Sequence, residues 1–188
     1  MFSQVFETTT QVSLIRISNE LVDLLPKHPR LKKFDEEGIC NGLTYCYALY
    51  ALTGRRDEFR YYLQFLDSLG NKKGRVAFEE AYKKNPNKFE KFLQFLMTIN
   101  CAQHDTSLNQ IKANWDKTYS FNCHSTALSD WLTVLNPGDF VFFRLGVHIF
   151  CIEKVPEGFY LFEPKSFYTP LHLQSISPAL NIWFLSRG

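Results

Sequence analysis

The spacing of apolar residues changes once along this chain, at Asn136-Pro137-Gly138-Asp139, and that change restricts the available folds more than any other feature. Before it, from about Asn19 to Leu135, large apolar side chains recur three and four residues apart: Leu21, Leu24 and Leu25; Phe59, Tyr62, Leu63 and Leu66; Phe89, Phe92, Leu93 and Leu96. A stripe of that period lies along one side of an α-helix. Gly54, Gly70, Gly74 and Asn85-Pro86 divide this half into separate helices. Asp57 and Asn87 are placed to cap two of them, and Ser125 or Thr126 opens another over TALSDWLTVL. After Asp139, the runs DFVFFRL, GVHIFCIEKV, GFYLFEP and LNIWFLS are short and rich in β-branched and aromatic residues, as strands are. Turns at Leu145-Gly146 and Pro156–Gly158 make the first three antiparallel neighbours. Helices followed by a sheet predict an α+β chain, read as a single domain over residues 1–188.

Composition narrows what such a domain can bind. With 45% hydrophobic residues and 18 Phe there is ample material for a core. A net charge of +2 gives no basic surface for nucleic acid, and the basic run PKHPRLKK is followed at once by acidic residues. No stretch approaches the roughly 20 apolar residues of a membrane span. The N-terminus lacks the basic start and apolar centre of a Sec signal. Five cysteines, at 40, 46, 101, 123 and 151, form an odd and irregular set, which favours reduced thiols over a disulfide framework. The final FLSRG follows a strand-like run almost without a tail, which reads as a chain continued past residue 188.

One cysteine stands apart. In EEGICNGLTYCYALYAL, Cys40 falls where a glycine turn meets a helix apolar nearly all round, hence one central to its domain. Gly42 is expected to leave space beside it. The orphan N–H groups and positive dipole end of a helix N-terminus favour a thiolate and make it nucleophilic. His148, in the alternating strand GVHIFCI, can serve as base, and Glu163, past the next turn in YLFEPKSF, falls on the adjacent strand where it can accept from the imidazole and set its tautomer.

At Gly38-Ile39-Cys40-Asn41-Gly42-Leu43, Gly146-Val147-His148-Ile149 and Phe162-Glu163-Pro164-Lys165 the chain resembles the YopT and AvrPphB group of bacterial effector cysteine proteases. The GICNGL stretch is also similar to cysteine-protease-like domains of Legionella-type secreted effectors, some of which precede ankyrin repeats. The resemblance implies a papain-like fold, a central nucleophile helix packed on a C-terminal antiparallel sheet, with Cys40 as nucleophile and His148 as base. It further implies delivery by a non-Sec route into a host cytoplasm, where the partner is a host protein. Two positions depart from the pattern. Glu163-Pro164-Lys165 stands where the group has Asp-Pro-Asn, and Asp35 and Phe34 stand where papain-like enzymes place an oxyanion-stabilising amide. An ionised Asp35 would repel the oxyanion, leaving the Cys40 N–H as one donor and the Asn41 side chain as a second candidate.

Three functions therefore stay open: a cysteine peptidase; a glutamine deamidase or transglutaminase, which uses the same residue set; and a protease-like interaction domain with little catalysis. No cofactor is expected. Cys101 with His104 and Cys123 with His124 have the elements of a zinc site, but adjacent residues point apart, so no metal is expected either. Cys46 and Cys151 read as core packing, and His28 and His172 as surface residues.

Overall fold

The helical period folds as α1 (Gln11–Leu24), α2 (Cys40–Leu52), α3 (Arg56–Gly70), α4 (Gly74–Lys84) and α5 (Pro86–His104). These belong to one compact unit, Thr8–His104; the second unit combines Met1–Glu7 with Asp105–Gly188 and holds the sheet. The structure, a computed structural model, describes residues 2–4, 11–25, 32–34, 39–70, 74–104, 119–121, 132–145, 148–164 and 180–185. Helices and a sheet in succession make the chain α+β.

Nine of the 13 residues of α2 are buried, as its unbroken apolar surface predicts, and it packs against α3 and α5. The interior there is aromatic. Phe59 and Phe95 meet edge-on at 5.5 Å, and both touch Tyr50, at 5.9 Å each. Tyr47 adds a further edge on Phe59 at 5.5 Å. Such pairs each add about 0.5–1.5 kcal/mol beyond the area they bury. The far end of α2 closes with Gly54 at φ 72°. Its N–H reaches the Ala51 carbonyl while the Arg55 N–H reaches that of Tyr50, the double bond of a Schellman cap.

Both expected capping residues lie two places inside the observed helix starts. α5 is capped by Asn85, not Asn87: the Asn85 Oδ1 accepts from the Lys88 N–H at 3.0 Å, and Pro86 occupies the first helical position, where no N–H is needed. Asp57 lies inside α3, and with Glu58 it places negative charge in the first turn.

The sheet has six strands: β1 (Phe2–Gln4), β2 (Tyr119–Phe121), β3 (Phe140–Leu145), β4 (His148–Val155), β5 (Gly158–Phe162) and β6 (Leu180–Leu185). Their spatial order is β1-β5-β4-β3-β6-β2. The four strands expected from sequence are β3 to β6, and they pair antiparallel as expected. Two corrections concern the edges. β2 lies within the stretch expected to be helical, and β1 joins β5 in parallel, so the sheet is mixed and not purely antiparallel. Three-residue strands are too short to display a period of two. The helix expected over TALSDWLTVL falls at residues 125–131 outside the described residues.

The chain enters β3 through a tight turn at Asn136–Asp139. Pro137 and Gly138, with Gly138 at φ 96°, take the two central places of a type II turn closed by the Asp139 N–H on the Asn136 carbonyl at 2.9 Å. The Asp139 carboxylate accepts back from the Asn136 N–H at 2.8 Å.

Candidate functional site

The chain approaches Cys40 under the control of two side-chain amides. Asn19 of α1 holds the Phe34 backbone twice, its Oδ1 accepting from the Phe34 N–H at 2.7 Å and its Nδ2 donating to the Phe34 carbonyl at 3.1 Å. Asn100 of α5, itself buried, donates to the Lys32 carbonyl at 2.8 Å. Asp35 and Gly38 lie outside the described residues. Ile39, fully buried, takes the N-cap place, where it has no side-chain oxygen to offer the helix. Cys40 then opens α2 half-buried, with Asn41 beside it in the same state.

A residue distant in sequence supplies the missing cap. The Oε1 of Gln103, in the last turn of α5, accepts from the Gly42 N–H at 2.8 Å. The two helices meet closely here: a Cβ on Gly42 would stand 2.4 Å from the Ile99 carbonyl oxygen and 3.1 Å from the Gln103 Cβ. Gly42 therefore does not leave space beside Cys40. It admits α5, whose Ile99 and Gln103 occupy that space. Sequence reading missed Gln103, Asn100 and Asn19. A signal for Gln103 existed, since Phe92, Leu96 and Ile99 step along the buried face of α5 and the next place in that stripe holds an amide.

The other candidate residues, in the second unit, lie in the β4–β5 hairpin. Cys151 pairs with Phe162 and Ile152 with Leu161, so continuing the register by one residue sets Glu163 opposite Phe150. His148 lies two residues from Phe150 and shares its face of the strand. Glu163 is therefore the diagonal neighbour of His148, a separation a long side chain can span. It does so: the His148 Nε2 is hydrogen-bonded to the Glu163 Oε1. Both side chains are largely shielded, at 13% and 17% exposed. The imidazole lies along the Phe150 ring at 6.1 Å, and Phe150 stacks on its cross-strand partner Phe143 at 5.0 Å, so the ring is held on two sides. Gly146, Val147 and Lys165 lie outside the described residues.

The arrangement has a definite chemical sense. An ionised carboxylate can only accept, so the imidazole proton bonded to Glu163 sits on Nε2 and the lone pair falls on Nδ1, which is buried. That tautomer makes Nδ1 the basic nitrogen.

The remaining cysteines divide by burial. Cys46 and Cys151 are completely buried, and burial pushes both thiols well above their ordinary range, with the Glu153 and Glu163 carboxylates adding to the effect at Cys151 and Arg55 offsetting part of it at Cys46. Neither forms a thiolate near neutral pH. Cys101 and His104 are exposed at the end of α5, while Cys123, His124, His28 and His172 lie outside the described residues. Among the described residues no helix is long and apolar enough to cross a membrane. No protein-family model, curated protein or solved structure matches the chain.

Proposed function

We propose that this chain is a papain-like thiol hydrolase, a cysteine peptidase that acts on a host protein after non-Sec delivery into the host cytoplasm. The observation that carries this reading is the His148–Glu163 pair, in which a carboxylate on the neighbouring strand holds the imidazole in the tautomer a base requires. Cys40 is the nucleophile. It is the half-buried thiol in the first turn of a central helix, where the dipole favours the thiolate.

In this reaction His148 Nδ1 takes the thiol proton and Cys40 Sγ attacks the carbonyl carbon. The tetrahedral intermediate then collapses as the imidazolium returns the proton to the leaving amine. Glu163 stabilises the imidazolium in between. Water repeats the cycle to release the acyl group. A glutamine side chain can take the place of the peptide bond in the same steps, which would make the enzyme a deamidase or transglutaminase.

The test is site-resolved alkylation by iodoacetamide across pH, with peptide mass spectrometry separating Cys40 from the exposed Cys101. Cys40 is expected to react faster than Cys101 near pH 6 and to lose that advantage in His148→Ala. If Cys40 follows Cys101 at every pH and His148→Ala changes nothing, the activated pair does not exist. In a host lysate treated with the active chain, new protein N-termini identify proteolysis, and conversion of glutamine to glutamate identifies deamidation. An interaction domain would keep its partner and its cellular effect in Cys40→Ala.

A further inference from the structure

A general base needs its lone pair aimed as well as its proton placed, and the hydrogen bond to Glu163 achieves only the second. The imidazole is a flat ring turning about its Cβ–Cγ bond, a torsion with broad, shallow preferences. The Nε2–H points mostly along that axis, whereas the Nδ1 lone pair points mostly across it. A bond at Nε2 therefore blocks the half-turn that would exchange the two edges of the ring. It leaves smaller rotations open, and these swing the Nδ1 lone pair from side to side.

An aromatic ring closes that freedom. His148 and Phe150 lie two residues apart on one face of β4, with ring centres 6.1 Å apart and planes 28° from parallel. Rotation of the imidazole about its axis would drive an edge into the Phe150 face. Phe150 cannot yield to it. It is 3% exposed and stacks at 5.0 Å and 9° on Phe143, its partner across β3, which is 1% exposed. Rings packed to this density do not turn independently of one another.

We propose that Phe150, backed by Phe143, is a positioning residue for the base: it fixes the plane of the His148 imidazole and so the direction in which Nδ1 takes the Cys40 proton. This rests on the thiol-hydrolase reading and gives two buried phenylalanines a role beyond packing. The base is then held from three strands, by Glu163 following β5, by Phe150 on its own β4 and by Phe143 on β3.

Phe150→Leu keeps an apolar side chain and removes the flat face. Phe142→Leu is the matched control: Phe142 is also fully buried on β3, but it pairs with Cys151 and so lies on the face of the sheet away from His148. Both variants lose core packing, and only the first touches the imidazole. Acylation of Cys40 by p-nitrophenyl acetate, followed by release of p-nitrophenolate and located by peptide mass spectrometry, is measured on the full chain. A small misplacement of a catalytic group can cost about 100-fold, so Phe150→Leu is expected to lower the rate at least about tenfold and Phe142→Leu by less than about threefold. Proton NMR of the imidazole reads the stack without any chemistry at Cys40. The His148 ring protons should lose the ring-current shift of Phe150 in Phe150→Leu and keep it in Phe142→Leu, while nitrogen shifts report the proton still on Nε2 in both. If Phe150→Leu fails to fold, Phe143→Leu, which removes only the support, carries the same comparison. Equal falls in rate for the two faces, or an undiminished rate with the ring-current shift gone, overturn the proposal and leave Phe150 as packing. Acylation of Cys40 that His148→Ala does not change is a different result, and it overturns the thiol-hydrolase reading together with this one.

Discussion

Gly42→Ala turns the close approach of α2 and α5 into a question of sign. In an open helix this substitution stabilises, by up to about 1 kcal/mol, because alanine loses less backbone freedom on folding. Here the added Cβ would lie 2.4 Å from the Ile99 carbonyl oxygen, whereas real Cβ atoms essentially never come within 3.0 Å of a neighbour. The obstacle is backbone, so no rotamer relieves it, and α5 must retreat. Overpacking of this kind costs about 1–3 kcal/mol. The same retreat stretches the Gln103–Gly42 bond, forfeiting about 0.5–1.5 kcal/mol more. After subtraction of the helical gain, the expected net loss is about 1–3 kcal/mol. For a chain of this size that lowers the melting temperature by roughly 3–10 °C. Thermal melts followed by circular dichroism measure it directly. Gly54→Ala provides the opposite case: nothing lies within 4 Å of its Cβ, but φ is 72°, so its cost of about 1–2 kcal/mol is conformational and not steric. A Gly42→Ala chain that melts higher than the unmodified one would refute the close packing and everything built on it.

The diagonal placement of Glu163 makes Glu163→Asp a severe change despite its conservative chemistry, because the shorter side chain cannot span from opposite Phe150 to His148. Acylation of Cys40 is expected to fall at least tenfold, on the order of a lost general base, with the melting temperature held; full activity in Glu163→Asp would show that the diagonal does not matter. Asn85→Ala removes the side-chain bond that caps the start of α5 and is expected to cost about 1 kcal/mol in urea titrations, whereas Asn87→Ala should cost almost nothing. The chain should also be labile in alkali. Tyr50 is pushed up to about 12, chiefly by burial, and Tyr62, Cys46 and Cys151 are raised as well, first by burial in each case. A folded-state value above the unfolded one means stability that is complete below the unfolded value and is lost as pH rises toward the folded one. For Tyr50 that window runs from about pH 10 upward to the value near 12. Melting temperatures measured from pH 8 to 11 should fall, and Tyr50→Phe should fall less steeply; a flat profile would contradict these buried phenols and thiols.

What could be read from the sequence was what repeats. The stripes of α3 and α5 and the four strands from Phe140 onward each contain enough residues for a period to show, and α2 announced its burial by being apolar on every side. Glu163 could be paired with His148 because the two flank a single turn at Pro156–Gly158, so local geometry alone brings their strands together. What could not be read depends on distance along the chain or on brevity. β1 and β2 have three residues each and gain their strand character only from partners 59 or more residues away in pairing register, which no local pattern records. Gln103 and Gly42 are 61 residues apart, and a glycine in a helical run gives no hint whether it faces a neighbouring backbone or solvent. The N-cap of α5 was misplaced because Asn85 and Asn87 flank the same proline, and only the geometry of Pro86 at the first helical position tells which of them faces the open N–H groups.

The Gln103 bond to Gly42 also changes how the first turn of α2 should behave in time. Amides at a helix N-terminus usually exchange their hydrogens with solvent quickly, because fraying one turn disturbs nothing else. The Gly42 amide points into the end of a second helix, so freeing it requires α5 to move away from α2 over the stretch from Ile99 to Gln103. Its exchange rate would therefore report on the separation of two helices and not on local fraying. The segment that carries Cys40 inherits the slow opening of the unit's interior, although it lies at a helix end.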